Sequence, residues 1–321
     1  LSSGGSGTDA GGIATILYLT NRGARLINCS WGGGDFNPAM LDAINYAYSK
    51  GALVIAAAGN SKESTDLKPH YPSTYRSPGI ISVGATVQPG YIAEFSNVGH
   101  STVHLAAPGQ EITSTFMKDR YMTWSGTSMA TPMVVGVGAL ILSIHPELSA
   151  KDLRNAILNS AVFNKRHEEW LATGGEVNAN QAVRQFEAGF QVWPKRFTIR
   201  QLGDHSFTAW GATGAVKWSV MPAGIATIEP DGTLKATLVE GIVNVTATDS
   251  AGNVASTTQV EIVTDFHLAT GCDPAIKSAE ARARAGMDWA GLMNFSLPFA
   301  FGFIAIRSAR RRNRRGPTFG F

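Results

Sequence analysis

A short strand-like run, residues 24–31 (ARLINCSW), and a continuous apolar run, residues 53–58 (LVIAAA), flank a segment with helical period. Strands that are apolar at every position must be covered on both faces, which is the habit of parallel sheets. Between the runs, Asn37 is placed to cap a helix, Pro38 suits its first position and Gly51 stops it. Strand, helix, strand with short joints makes a right-handed βαβ unit. Residues 80–86 (IISVGAT) read as a further strand. Residues 131–144 are apolar on almost every face and read as a central buried helix, after which Ser149 caps a more amphipathic one. Residues 1–190 are therefore expected to form an α/β domain with a doubly wound, mostly parallel sheet.

The pattern changes at Val192-Trp193-Pro194. From 195 to 264 there is no helical period, only short alternating runs separated by turn sequences such as Pro230-Asp231-Gly232. That predicts a small all-β sandwich. Residues 265–288 are polar and Ala/Arg-rich and read as a linker. Residues 289–306 carry no charge and are followed by six arginines within 307–321. Eighteen helical residues rise about 27 Å, enough for a thin bilayer core. The basic cluster predicts a transmembrane helix with a cytoplasmic tail.

Charge and cysteine content narrow the function classes. The chain has 27 basic and 24 acidic residues, a net +3. Without the arginine tail, 21 basic face 24 acidic residues, so the basic balance belongs to the tail and describes no nucleic-acid groove. Two cysteines, Cys29 and Cys272, make neither a disulfide framework nor a zinc-ligand spacing. Cys29 reads as an inert core residue.

The chemistry is concentrated in Trp124-Ser125-Gly126-Thr127-Ser128-Met129-Ala130-Thr131-Pro132. A turn of small residues delivers Ser128 to a helix start, where backbone N–H groups lack intrahelical partners and the helix dipole favours negative charge. Gly126-Thr127-Ser128-Met129-Ala130-Thr131-Pro132 resembles the nucleophile motif of the subtilisin-like serine peptidases. In order along the chain, Ile27-Asn28-Cys29-Ser30-Trp31-Gly32-Gly33, Ala56-Ala57-Ala58-Gly59-Asn60 and Ala106-Ala107-Pro108-Gly109 resemble other segments of that family. The resemblance covers about residues 7–185, the C-terminal two-thirds of such a domain. It implies a partial subtilisin-like domain in which Ser128 is the nucleophile of an acyl-enzyme and Asn60 a side-chain donor to the oxyanion. It implies that Ser30, Trp31 and Gly32 pair with an extended polypeptide substrate, and that Ala57, Ala58 and Gly59 line the pocket for the residue before the cleaved bond. His70 borders the base of that pocket, either favouring polar or acidic side chains or standing as a loop histidine.

A serine is a weak nucleophile without a base. The family's Asp and His precede the Ser, and neither has its motif here. Asp9 follows a glycine-rich stretch rather than a strand and reads as a helix cap. His104 leads a short apolar strand, which reads as structural. The chain as written is expected to be inactive, with both partners upstream of Leu1. Residues 195–264 resemble bacterial Ig-like repeats through Lys217-Trp218-Ser219, Asp231-Gly232-Thr233-Leu234 and Val243-Asn244-Val245-Thr246. No residue set names a cofactor, although the family resemblance allows calcium. Together these features place the protein at a bacterial cell envelope, membrane-anchored, with the peptidase and Ig-like parts extracytoplasmic. A non-catalytic peptidase-like scaffold and a surface adhesion protein working through the Ig-like part stay open.

Overall fold

The computed structural model describes residues 7–87 and 90–264, with the backbone of Ala305–Arg307. The strands of the first part are β1 (Ala24–Cys29), β2 (Leu53–Ala57), β3 (Ile80–Val87), β4 (Tyr91–Ile92), β5 (Leu105–Pro108), β6 (Ile112–Phe116), β7 (Arg120–Trp124), β8 (Val162–Phe163) and β9 (Gly175–Glu176). The helices are α1 (Asp9–Asn21), α2 (Pro38–Ser49), α3 (Thr127–Ile144), α4 (Ala150–Asn159) and α5 (Ala179–Arg184). β1, β2, β3, β5 and β9 run parallel in that order, with β8 antiparallel at one edge. β6 and β7 form a separate hairpin leading into α3.

The apolar runs are sorted by the strand period of two. Leu26, Leu53 and Ile55 face α3 and α4, while Ile27, Val54, Ala56 and Cys29 face α1 and α2. Both faces are covered, as continuous apolar strands require. Cys29 is wholly buried and unpaired, and burial pushes its thiol up to about 12. Asn37 caps α2 through Oδ1, which accepts from Ala39 N at 3.0 Å. Ser149 caps α4, its Oγ accepting from Asp152 N at 3.1 Å.

Several expectations need correction. The cap of α1 is Thr8, whose hydroxyl accepts from Gly11 N at 3.2 Å. Asp9 is the first helical residue and accepts from Asn37 Nδ2 at 2.7 Å, tying α1 to α2. α3 begins at Thr127, which puts Ser128 in its first turn as the sequence implies. It is not buried all round: Met133, Leu140 and Ile144 are exposed on one side.

Residues 191–263 are all-β. Arg196–Arg200 runs parallel to Gln259–Val263, and Gly241–Thr248 pairs antiparallel with Gln259–Val263, Lys217–Met221 and Val254–Ser256. A second sheet joins Asp204–Ser206, Thr233–Ala236 and Ala226–Ile228. The composition change at 192–194 is not a gap in packing. Trp193 is fully buried, stacks on Trp210 at 5.2 Å and meets the edge of Phe186 at 5.3 Å. One apolar cluster runs from Val134 and Leu153 through Trp193 to Val243 and Val260. The expected linker, and residues 289–304 of the expected membrane span, lie outside the described residues. Ala305–Arg307, the span's end and the tail's first residue, is a strand antiparallel to β1 here.

α3 carries two glycines in opposite settings. A Cβ on Gly136 would meet nothing within 4 Å, while one on Gly138 would stand 3.0 Å from Leu26 Cδ1 and 3.1 Å from Ile157 Cδ1. Gly136→Ala should stabilise by about 0.5–1 kcal/mol through helix propensity. Gly138→Val should destabilise by about 1–3 kcal/mol through overpacking. Urea midpoints that moved in the same direction for both would contradict this packing.

Candidate active site

The start of α3 and the end of β2 meet at Asn60. Its Oδ1 accepts from Thr127 N at 2.8 Å and from Thr127 Oγ1 at 2.9 Å. A backbone N–H can only donate, so the oxygen end of the amide must face Thr127 and Nδ2 must face away. The place where a Cβ on Gly126 would stand is 3.4 Å from Asn60 Nδ2 and 3.7 Å from Ser128 N. Two N–H donors therefore border one small space, and the missing side chain of Gly126 leaves it open. Gly59 takes part as well, its N–H donating to Thr127 Oγ1 at 3.2 Å.

Ser128 is tied to β1's end by a reciprocal pair. Its hydroxyl donates to Ser30 O at 3.2 Å, and Ser30 Oγ donates to Ser128 O at 2.8 Å. The second bond has a covalent cause. Pro132 lies four residues beyond Ser128 and has no N–H to give that carbonyl. Ser30 Oγ is itself held by Asn28 Nδ2 at 2.9 Å. Among the described residues, no imidazole or carboxylate is hydrogen-bonded to Ser128.

The predicted site residues are brought together, but not all by their side chains. Ser30, Gly32, Gly59, Asn60, His70 and Ser128 surround one region. The Trp31 indole turns away from it, packing against Gly12 of α1 and Met40 of α2. Ala57 is buried, and the Ala58 side chain packs with Val103, Ala106 and Leu171, so these two can line a pocket only through backbone. His70 is more than a loop residue. A Cβ on Gly32 would run into its Cε1, and one on Gly59 would stand 2.9 Å from its Cδ2 and 3.0 Å from its Nε2. The imidazole thus fills the gap between the two glycines. Its Nδ1 is buried without a partner, and burial pushes its pKa down against the pull of the Glu63 carboxylate.

Sequence reasoning missed two polar residues that hold the site. Thr127 sits inside the quoted motif, but the Asn60 clamp appears only when β2 and α3 are side by side. Asn97 accepts from Ser61 N at 2.9 Å and Glu63 N at 3.1 Å, and donates through Nδ2 to Ala58 O at 2.9 Å. It shapes the loop after Asn60, and no local pattern marks it. Among the described residues, no group of three or more His, Cys, Asp or Glu comes together.

The sequence model of the Subtilase family matches residues 1–190, so the chain belongs to that family. It is 41% identical over 162 residues to Subtilisin DY of Bacillus licheniformis, covering 50% of this chain and 58% of that one. It is 40% identical over 184 residues to Thermitase of Thermoactinomyces vulgaris, covering 57% and 63%. The chain thus spans about three-fifths of the length of these relatives. Among solved structures, the Prenylagaramide maturation protease PagA superposes with a TM-score of 0.51 at 28% identity, covering 56% of this chain and 68% of that one. A lanthipeptide protease gives 0.52 at 25%, covering 56% and 67%.

The His70 environment has a measurable consequence. Its imidazole should titrate below the free value of about 6.5 when followed by NMR. Because the folded form holds the proton less well than the unfolded chain, this residue's contribution to stability declines as pH falls through about 6.5. Gly32→Ala should displace the ring and return its pKa toward the ordinary value. A wild-type titration at or above 6.5 would contradict the wedged position.

Proposed function

We propose that the protein is a serine endopeptidase that cleaves polypeptides through an acyl-enzyme. The observation that carries this is the space beside Ser128 bordered by Asn60 Nδ2 and Ser128 N, with the amide's orientation set by Thr127. In this reading Ser128 Oγ attacks the scissile carbonyl and the two N–H groups take the developing oxyanion. The amine leaves with a proton, and water then releases the acyl group from Oγ. The base that takes the Ser128 proton, and the carboxylate that orients it, come from outside the described residues. Similarity to proteins named subtilisin and thermitase supports the same reading.

The substrate would lie as an added strand against the backbone of Ser30–Gly32. With His70 between Gly32 and Gly59, the pocket for the side chain before the cleaved bond is shallow and floored by an imidazole. Short, polar or acidic side chains suit it. The all-β part is read as an Ig-like module by its strand pattern. The uncharged 289–306 stretch and the arginines after it support a membrane anchor that holds the peptidase outside a bacterial cell. The scaffold alternative draws on one observation, that the Ser128 hydroxyl is engaged with a carbonyl rather than a base.

Fluorophosphonate labelling of the protein completed with its Asp and His partners tests the reading. Label should appear on Ser128 and vanish in Ser128→Ala; an unlabelled complete protein leaves the scaffold. Asn60→Ala should lower kcat about 10²- to 10³-fold, the loss already established for the corresponding amide in a subtilisin. Thr127→Val keeps one of the two bonds to Asn60 and should cost about tenfold in kcat with KM little changed. His70→Gly should raise kcat/KM for large apolar side chains before the cleaved bond; an unchanged preference would remove His70 from the pocket.

A further inference from the structure

Between α4 and the strands Arg196–Arg200 and Asp204–Ser206 lies a cleft of about 230 Å³. Among its lining residues are three buried basic side chains, His104, Arg154 and His205. The backbone N–H of Ser82 donates to His104 Nδ1 at 2.8 Å, so the one proton of that neutral ring is on Nε2. Nε2 stands 3.0 Å from Arg154 Nη2, and two hydrogen-bearing nitrogens therefore face each other. His205 Nδ1 accepts from Arg154 Nη1 at 3.2 Å, which puts its proton on Nε2, a buried atom without a partner. Burial and the neighbouring guanidinium push the pKa of both rings well below the usual value, so neither carries a charge at neutral pH.

Arg154 is satisfied only in part, at Nε and Nη1. It lies over the Phe197 ring and its Nε donates to Ile80 O at 3.4 Å. Among the described residues it has no salt bridge. Arg76, Lys151 and Arg200 also line the cleft, and Asp204 is the one carboxylate among the lining residues. Arg154 Nη2 and the Nε2–H groups of His104 and His205 thus lack a suitable acceptor. Buried donors left this way are costly, and charge-assisted bonds to an oxyanion would satisfy them.

We propose that this cleft binds a small tetrahedral oxyanion, with inorganic phosphate as its simplest form, through Arg154 and the Nε2–H groups of His104 and His205. Because His104 and Arg154 belong to the α/β part and His205 to the all-β part, the bound anion clamps the two together. The site is separate from Ser128 and does not rest on the peptidase reading.

Thermal unfolding of the full chain, with phosphate titrated against chloride at constant ionic strength, tests the proposal. Phosphate should raise Tm saturably, as a ligand of the native state does. His205→Phe keeps the ring against Phe197 and removes an N–H, and should weaken the apparent affinity about tenfold. Lys151→Gln, on the partly exposed rim, should weaken it severalfold, and Ser128→Ala should leave it unchanged. No saturable rise beyond chloride, or the same rise in wild type, His205→Phe and Lys151→Gln, overturns the site.

Discussion

Residue 132 is a proline, so the carbonyl of Ser128 receives no bond from the helix that follows it. That carbonyl is part-buried and has to be satisfied. Ser30 Oγ does so, and in the same step it pins the end of β1 to the first turn of α3. From this latch the rest of the site follows. With α3's start fixed against β1, Thr127 meets the end of β2, and its two donors set the Asn60 amide. The positions of Asn60 Nδ2 and Ser128 N thus trace back to a missing hydrogen four residues away.

Much of the α/β part was legible in the sequence because its central strands are mostly apolar and α2 and α4 carry side-chain caps. Asn37, Pro38 and Ser149 are local signals and do locally what they signal. The site was legible as a set of segments, since the Gly-Thr-Ser-Met-Ala-Thr-Pro string and the Ala-Gly-Asn strand end are contiguous. Its internal wiring was not. Thr127 to Asn60 spans 67 residues and Ser30 to Ser128 spans 98, and neither spacing leaves a periodic trace. The direction of the Trp31 indole was unreadable for a related reason, because a residue just past a strand end can turn to either face. His70 between two glycines is a three-segment contact of the same kind.

The boundary at 192–194 teaches a different lesson. Composition separates the two parts sharply, and periodicity changes there from helical to alternating. Packing does not separate them: Phe186, Trp193 and Trp210 interlock across the change, and the buried cluster continues through it. Asn155 of α4 adds polar bonds across the same seam, donating to Ser206 O at 2.7 Å and to Thr208 Oγ1 at 2.9 Å. Sequence pattern reports what each segment pairs with locally. It is silent on whether two such segments bury a common surface.

Arg196–Arg200 and Gln259–Val263, the strands by which the chain enters and leaves the second sheet system, are parallel neighbours. A pull applied at residue 264 and resisted at 195 would load this pair lengthwise and in opposite senses. Its hydrogen bonds would have to shear together rather than peel one at a time. The all-β part is thus arranged as a mechanical clamp against tension applied between its two ends.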